Sequence, residues 1–377
     1  MTNGVFDIAV IGGGMAGASV ASRCSENARV VLLESEDHPG YHSTGRSAAA
    51  FVASLSAEND VLRILTQTSR DFLCSPPEVF EVPSLLNQRG VLTLYNEDAY
   101  ASLETTYSHL QHYGFDVSRV GQDFITGRIP MVREPYTSAA LYESDAHDID
   151  VHALHQGYLR LLKAHNGVVR TGAGVSNLRR INELWEIETA TGSITARVIV
   201  NAAGAWADQL GAMAGCDPIG LNPLRRTAVL VDPPDNCDVA DWPMVLVQDA
   251  GFYFKPEAGK IMVSPADEIP GPPCDAQPDE LDIAIAVDYL QQALDLDVRA
   301  VSHSWAGLRS FVADRTPVVG FDPQVEGFFW MAGQGGHGIQ TAPALADLAA
   351  ALVLGESIPP YLSDAGFEGD AISPCRL

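Results

Sequence analysis

The chain has 377 residues, 46% of them hydrophobic and 19% charged, which is enough material for two packed cores. Its formal net charge is −25 and its only lysines are Lys163, Lys255 and Lys260, so phosphate repulsion excludes a nucleic-acid partner. No apolar run reaches the roughly eighteen residues that span a bilayer, and the N-terminus lacks a cationic start and a small-residue cleavage site, so a cytoplasmic location is expected.

Residues 6–11, FDIAVI, read as a short buried strand. Gly12-Gly13-Gly14-Met15-Ala16-Gly17 then opens a helix running to about residue 26, and a second strand over residues 29–33 ends at Glu34. In this order the first glycine permits a tight turn. The second lets the backbone approach a diphosphate, and the third lets helix pack on strand. The helix N-terminus favours the anion, and Glu34 can accept from the hydroxyls of an adenosine ribose. The spacing predicts a dinucleotide site; a Glu at this point argues against NADP.

Tyr41-His42-Ser43-Thr44-Gly45-Arg46-Ser47 follows, with hydroxyls and a cation suited to wrapping a phosphate chain. Val61, Leu62, Leu65 and Phe72 recur at helical spacing as a core-facing stripe. Between residues 76 and 143 prolines and short β-type runs, such as residues 91–95, suggest an inserted unit with one helix near residues 99–112. Asp150 reads as the N-cap of a helix that Gly167 stops. His147, Asp148, Asp150, His152 and His155 cluster there, but capping plus solvated histidines is favoured over a metal site, so no metal is expected.

Strands near residues 185–188 and 193–201 lead into Asn201-Ala-Ala-Gly-Ala-Trp206, whose small residues would allow close approach of a ligand. Residues 220–300 return to strand-like runs and Pro-rich loops. From residue 304 the first character resumes, and a strand over residues 328–332 enters Gly333-Gln-Gly-Gly-His-Gly338 and a helix. An α/β (α+β overall) fold is expected, with a Rossmann-type dinucleotide-binding domain interleaved with a mainly antiparallel-sheet substrate domain. The boundaries read as 1–80, 145–219 and 302–377 for the first, and 81–144 and 220–301 for the second. The six cysteines form no CxxC pair, so reduced, mostly buried thiols are expected.

Taken together, GGGMAGAS, LLESEDHPGYHSTGRSAA, DIDVHALHQGYLR, VIVNAAGAWAD, WAGLRSFVAD and GQGGHGIQTAPALADL resemble the D-amino-acid oxidase/glycine oxidase superfamily of FAD enzymes. Within it the blocks are most similar to the bacterial D-arginine/D-amino acid dehydrogenases. The resemblance implies FAD held without a covalent bond, which makes His42 a contact and not an attachment point. It places Gly12, Gly14, Met15, Ala16, Gly17, Glu34 and Ser35 at the cofactor. His42, Ser43, Thr44, Arg46, Ser47, Ala48 and Val175 join them, as do Ala203, Gly204 and Trp206. The last turn adds Gly335, Gly336, His337, Gly338, Ile339, Gln340 and Thr341.

The family transfers a hydride from the substrate α-carbon to flavin N5, giving an imino acid that hydrolyses to an oxo acid. Carried over, Arg226 and Arg309 would clamp the substrate carboxylate, Tyr253 would add a hydrogen bond and Gln340 would face the substrate. No catalytic residue is certain, and His337 and Tyr253 are the candidates. Arg225 competes with Arg226, since neighbours on a strand face opposite ways. Ala50, Leu55 and Gly90 depart from the D-arginine pattern, removing a histidine, a tyrosine and the carboxylate that would receive a guanidinium. A small or apolar D-amino acid, or a cyclic or N-substituted one, is therefore expected. The electron acceptor is not identified by any motif. A 2-hydroxy acid dehydrogenase and a flavin-binding module without catalysis are the competing readings.

Overall fold

The computed structural model describes residues 4–96, 99–235, 237–248 and 250–377. At its centre β1 (Phe6–Ile11) runs parallel to β2 (Val30–Leu33) on one side and to Gly192–Asn201 on the other. Val168–Arg170 extends the sheet beyond β2, and Phe328–Ala332 lies parallel to Gly192–Asn201. The register pairs Ile11 with both Leu33 and Asn201, and Asn201 with Trp330. Four strands thus end together, and the loops that follow them, at Gly12, Glu34, Ala202 and Gly333, open at one carboxyl edge. That edge is where an open parallel sheet binds ligands.

Every residue of β2 and of Phe328–Ala332 is buried, because helices or a further layer cover both faces. On one face α1 (Met15–Cys24) packs with Val151–Ala164 and Ala342–Leu354. Gly12 sits at φ +107°, and a Cβ on Gly17 would lie 1.8 Å from the Gly12 carbonyl oxygen. The two glycines let α1 start directly against β1. Asp150 caps Val151–Ala164 by accepting from Ala153 N–H at 2.8 Å. Asn59 does the same for α2 (Asp60–Cys74), accepting from Leu62 N–H.

A second sheet of nine strands is mainly antiparallel and gathers Val91–Tyr95, Ser118–Val120 and Ala139–Glu143 with five strands between residues 222 and 270. Its remaining strand corrects the reading from sequence. Val301–Phe311 does not return to the first sheet at residue 302; it pairs along its whole length with Asn222–Val231, and the chain rejoins the first sheet at Val318–Phe321. The helix Glu280–Ala293 was not foreseen. Asp279 caps it, and Ala286, Leu290 and Ala293 pack under Val229, Phe254 and Ile261. A small three-stranded sheet of Ala50–Phe51, Leu86–Gln88 and His147–Ile149 holds Ala50 at the junction.

Two details also differ from expectation. His155 is not a solvated histidine; it is buried and its Nε2 bonds the Gly13 carbonyl at 2.8 Å. Of the six free thiols only Cys24 and Cys216 are buried, while Cys274 and Cys375 are exposed. Among the described residues, no helix is long and apolar enough to cross a membrane.

Candidate functional site

A cavity of about 830 Å³ runs from the glycine turn after β1 to the facing strands of the second sheet. At its first end lie Gly12, Gly14, Met15 and Ala16, with Glu34 buried beside them. Glu34 accepts from Gly13 N–H at 2.7 Å through Oε2, and from the Ser35 hydroxyl and Glu36 N–H through Oε1. These bonds hold the carboxylate at the cavity wall. Thr44 Oγ1 accepts from Met15 N–H at 2.9 Å, so the segment after β2 folds across the start of α1. His155 supports the same turn from below through Gly13.

That segment contributes His42, Ser43, Thr44, Arg46, Ser47 and Ala48 to the lining, and Ser35 and Val175 join it. His42 Nε2 meets Glu36 Oε1 at 3.0 Å while its ring leans on Trp206. Ser43 donates to the Leu308 carbonyl at 2.6 Å. The Arg46 guanidinium, expected on phosphates, donates instead to the Ala276 and Ala306 carbonyls and pairs with Asp275. It pins the first sheet's loop to the second sheet. Ala203, Gly204 and Trp206 line the cavity too, Ala203 against Gly12 and Trp206 against His42. Gly17 and Thr341 are absent from the lining: Gly17 packs on Gly12, and the buried Thr341 hydroxyl donates to the His337 carbonyl.

At the other end Arg226, Tyr253 and Arg309 line the cavity together, with Arg226 in hydrogen-bond reach of the Tyr253 phenol. Strand alternation separates Arg226 from Arg225, which turns away to bond Asp282 at 2.6 Å. Arg226 donates to the Asp267 carbonyl at 2.8 Å and approaches Glu268 at 3.3 Å; Glu268 also receives both Arg315 nitrogens. Among the described residues, no carboxylate pairs with Arg309. Burial lowers its pKa from the ordinary value and the Arg226 charge adds to this, opposed by Tyr253 and Glu268. Burial alone would raise the Tyr253 phenol. The charges of Arg309 and Arg226, with hydrogen bonds from Ser264 and Arg226, outweigh it and leave the phenol below its ordinary pKa. The site therefore carries unneutralised positive charge in a desolvated place, the condition under which a carboxylate binds most strongly.

The glycine-rich turn closes this end. A Cβ on Gly336 would lie 3.2 Å from the Arg309 guanidinium carbon, and one on Gly335 would collide with the Phe311 ring. Gly335, Gly336, His337, Gly338, Ile339 and Gln340 all line the cavity. Gln340 has its amide engaged by Val52, Ser56, Thr66 and His337, so it does not reach freely toward a substrate. Burial, then the charges of Arg309 and Arg315, push His337 down to about 4, so its imidazole is neutral at pH 7.

Ala50, Leu55, Met244 and Leu246 add apolar lining to the cavity, Leu246 as the cross-strand neighbour of Tyr253. Met244 and Leu246 were not singled out in the sequence, and neither was Glu268. Gly90 lies off the lining, against Tyr142. Among the described lining residues the only carboxylates are Glu34 and Glu36, both at the first end. The cavity thus holds a nucleotide-type cradle at one end and a cationic clamp with apolar lining at the other. The residues fit a flavin dinucleotide: the carboxyl-edge cradle is built, and Gln334 Nε2 is buried on the lining without a protein partner.

The family model described as "DAO: FAD dependent oxidoreductase" matches residues 7–352. FAD-dependent oxidoreductase domain-containing protein 1 of Xenopus laevis is 24% identical over 420 residues, covering 96% of this chain and 80% of the relative. Glycine oxidase of Geobacillus kaustophilus is 23% identical over 363 residues, covering 92% and 93%. A solved glycine oxidase from Geobacillus kaustophilus superposes with a TM-score of 0.82 at 21% identity, covering 93% of this chain and 95% of that one. The L-proline dehydrogenase structure from P. horikoshii gives 0.82 at 21%, covering 97% and 99%.

Proposed function

We propose a function from one premise: the chain belongs to the DAO family of FAD-dependent oxidoreductases, whose model spans most of its length. On this reading it oxidises the C–N bond of a small or apolar amino acid, with a D-amino acid as the preferred form. The observation that carries the reading is Arg309, a desolvated guanidinium without a carboxylate partner among the described residues, lining one cavity with Arg226, Tyr253 and the apolar Ala50, Leu55, Met244 and Leu246. The names of two similar proteins, a glycine oxidase and an L-proline dehydrogenase, support the same substrate class.

Bound FAD supplies the two-electron acceptor. The chain's own residues do the rest. Arg309 and Arg226 hold the substrate carboxylate through planar forks, and Tyr253 adds a phenol bond, so the α-carbon is fixed at one place in the cavity. The same two cations disfavour an ammonium beside them, so the substrate is held as the free amine whose lone pair assists loss of the α-hydrogen. No general base is required. Ala50, Leu55, Met244 and Leu246 offer the side chain an apolar surface. A cationic side chain would find no carboxylate on that surface, a loss of about 1–3 kcal/mol or more.

Anaerobic mixing of the yellow holoenzyme with glycine, proline, N-methylated amino acids, both hands of small, apolar and basic amino acids, and the matching 2-hydroxy acids tests the reading. Bleaching by small or apolar members, strongest with the D-hand, is expected, with ammonia released after air is admitted when the substrate is a primary amine. Bleaching only by 2-hydroxy acids, or by none of the panel, would overturn it.

A further inference from the structure

His337 and Gln340 lie three residues apart at the end of the glycine-rich turn, and both line the cavity. The Gln340 side chain is otherwise buried, 5% exposed. Its Oε1 accepts from Val52 N–H at 3.3 Å, which settles the orientation of the amide. Its Nε2 is then the donor, and three acceptors surround it. They are His337 Nδ1 at 3.0 Å, Thr66 Oγ1 at 3.2 Å and Ser56 Oγ at 3.3 Å. The Ser56 and Thr66 hydroxyls also bond each other at 3.0 Å. An amide NH₂ has two hydrogens and no capacity to accept. One goes to the imidazole, the shortest of the three contacts, and the hydroxyl pair shares the other. His337 Nδ1 is therefore an acceptor, and a neutral imidazole with an accepting Nδ1 carries its single proton on Nε2. Among the described residues no protein group bonds Nε2, the nitrogen left to the cavity.

We propose that Gln340 is a positioning residue: its amide fixes His337 as the Nε2–H tautomer, so the turn offers the cavity a hydrogen-bond donor and not a base. A base at Nε2 would have to take a second proton, and the resulting cation would stand against the Arg309 guanidinium in a desolvated site. The low pKa of the ring agrees with this. Because Gln340 is held through Val52, Ser56 and Thr66, the ring orientation is tied to the segment that also carries Ala50 and Leu55. The inference rests on the proposed function only in taking this cavity as the place of reaction.

The holoenzyme labelled with ¹⁵N-histidine reads the tautomer directly by long-range nitrogen–proton correlation, with His337→Asn assigning the signal among the ten histidines. The wild type is expected to show an unprotonated Nδ1 and a protonated Nε2 at neutral pH. In Gln340→Met, which keeps the length and removes the donor, both tautomers should be populated. Flavin should remain bound, and kcat/KM for the best amine substrate should fall by about tenfold or more, chiefly in kcat/KM and not in flavin content. A protonated Nδ1 in the wild type, or an unchanged tautomer in Gln340→Met, overturns the inference. The wild-type spectrum needs no turnover, and its assignment needs only a folded His337→Asn, so a failed substrate panel would contradict the proposed function and leave this result readable on its own.

Discussion

At the scale of single residues, Arg309 and His337 show how the same burial acts on two kinds of group. Arg309 keeps its charge because guanidinium is too basic to lose it, so burial becomes affinity for an anion. Replacing it by lysine keeps a charge but loses the planar fork. Arg309→Lys should lower kcat/KM for an amino acid by about 100-fold, or about 3 kcal/mol, with flavin content unchanged; steady-state kinetics at matched flavin content would show it. His337 instead loses its proton. Its folded pKa of about 4 lies below the ordinary 6.5, so the unfolded chain binds the proton more readily. Stability is intact above pH 6.5 and falls as pH drops from 6.5 toward 4. His337→Asn should flatten that slope by up to about 3 kcal/mol across the window, visible as a smaller fall in melting temperature between those pH values. Equal slopes in the two proteins would contradict the account.

Residues differed in how far the sequence disclosed them. Gly12, Gly14, Gly17 and Glu34 were legible because their spacing is local and each glycine has a steric reason. Arg226, Arg309 and Tyr253 came only through resemblance, and nothing in their own neighbourhoods distinguished them from surface ion pairs. Met244 and Leu246 were invisible, since they reach the cavity through strand pairing between distant segments, and Glu268 because it meets Arg226 and Arg315 only in the fold. The direction of the Gln340 amide was equally beyond reach, because its partners Val52, Ser56 and Thr66 lie more than 270 residues away in the chain.

At the scale of elements, the start of α1 is the part most tightly specified. Gly17→Ala would set a Cβ 1.8 Å from the Gly12 carbonyl oxygen, and the rigid turn cannot yield as a flexible side chain would. That variant should purify with little or no flavin, as its visible spectrum would report. His155 braces the same turn from Val151–Ala164. His155→Ala should cost about 1–3 kcal/mol by leaving the Gly13 carbonyl unpaired, measured by urea unfolding. Strong local periodicity made β1, α1, α2 and the helix capped by Asp150 readable. The helix Glu280–Ala293 was obscured by the Pro-rich run before it. Val301–Phe311 was misassigned because only its pairing with Asn222–Val231, seventy residues earlier, decides its sheet.

At the scale of the whole molecule, the cavity exists because two sheets meet, and Arg46 and Ser43 tie one to the other at their junction. The interleaved order of segments was legible; the point of return was not. The net charge of −25 spreads over this assembly with few cations to offset it. Self-repulsion should make the fold salt-dependent, with melting temperature rising as sodium chloride goes from about 0.01 to 0.5 M, where screening shortens from about 30 Å to a few ångströms. A melting temperature that is flat or falling would show that the acidic surface is not limiting.

The clamp is the point on which the functional reading turns, and one comparison isolates it. The rate of anaerobic flavin reduction by the best amino acid should be set against that by the amine lacking its carboxylate, in wild type and in Arg309→Lys. The wild type should favour the amino acid by about 100-fold or more, and the variant should lose most of that preference. Equal reduction by the two compounds in the wild type would mean that Arg226, Tyr253 and Arg309 do not bind the substrate carboxylate.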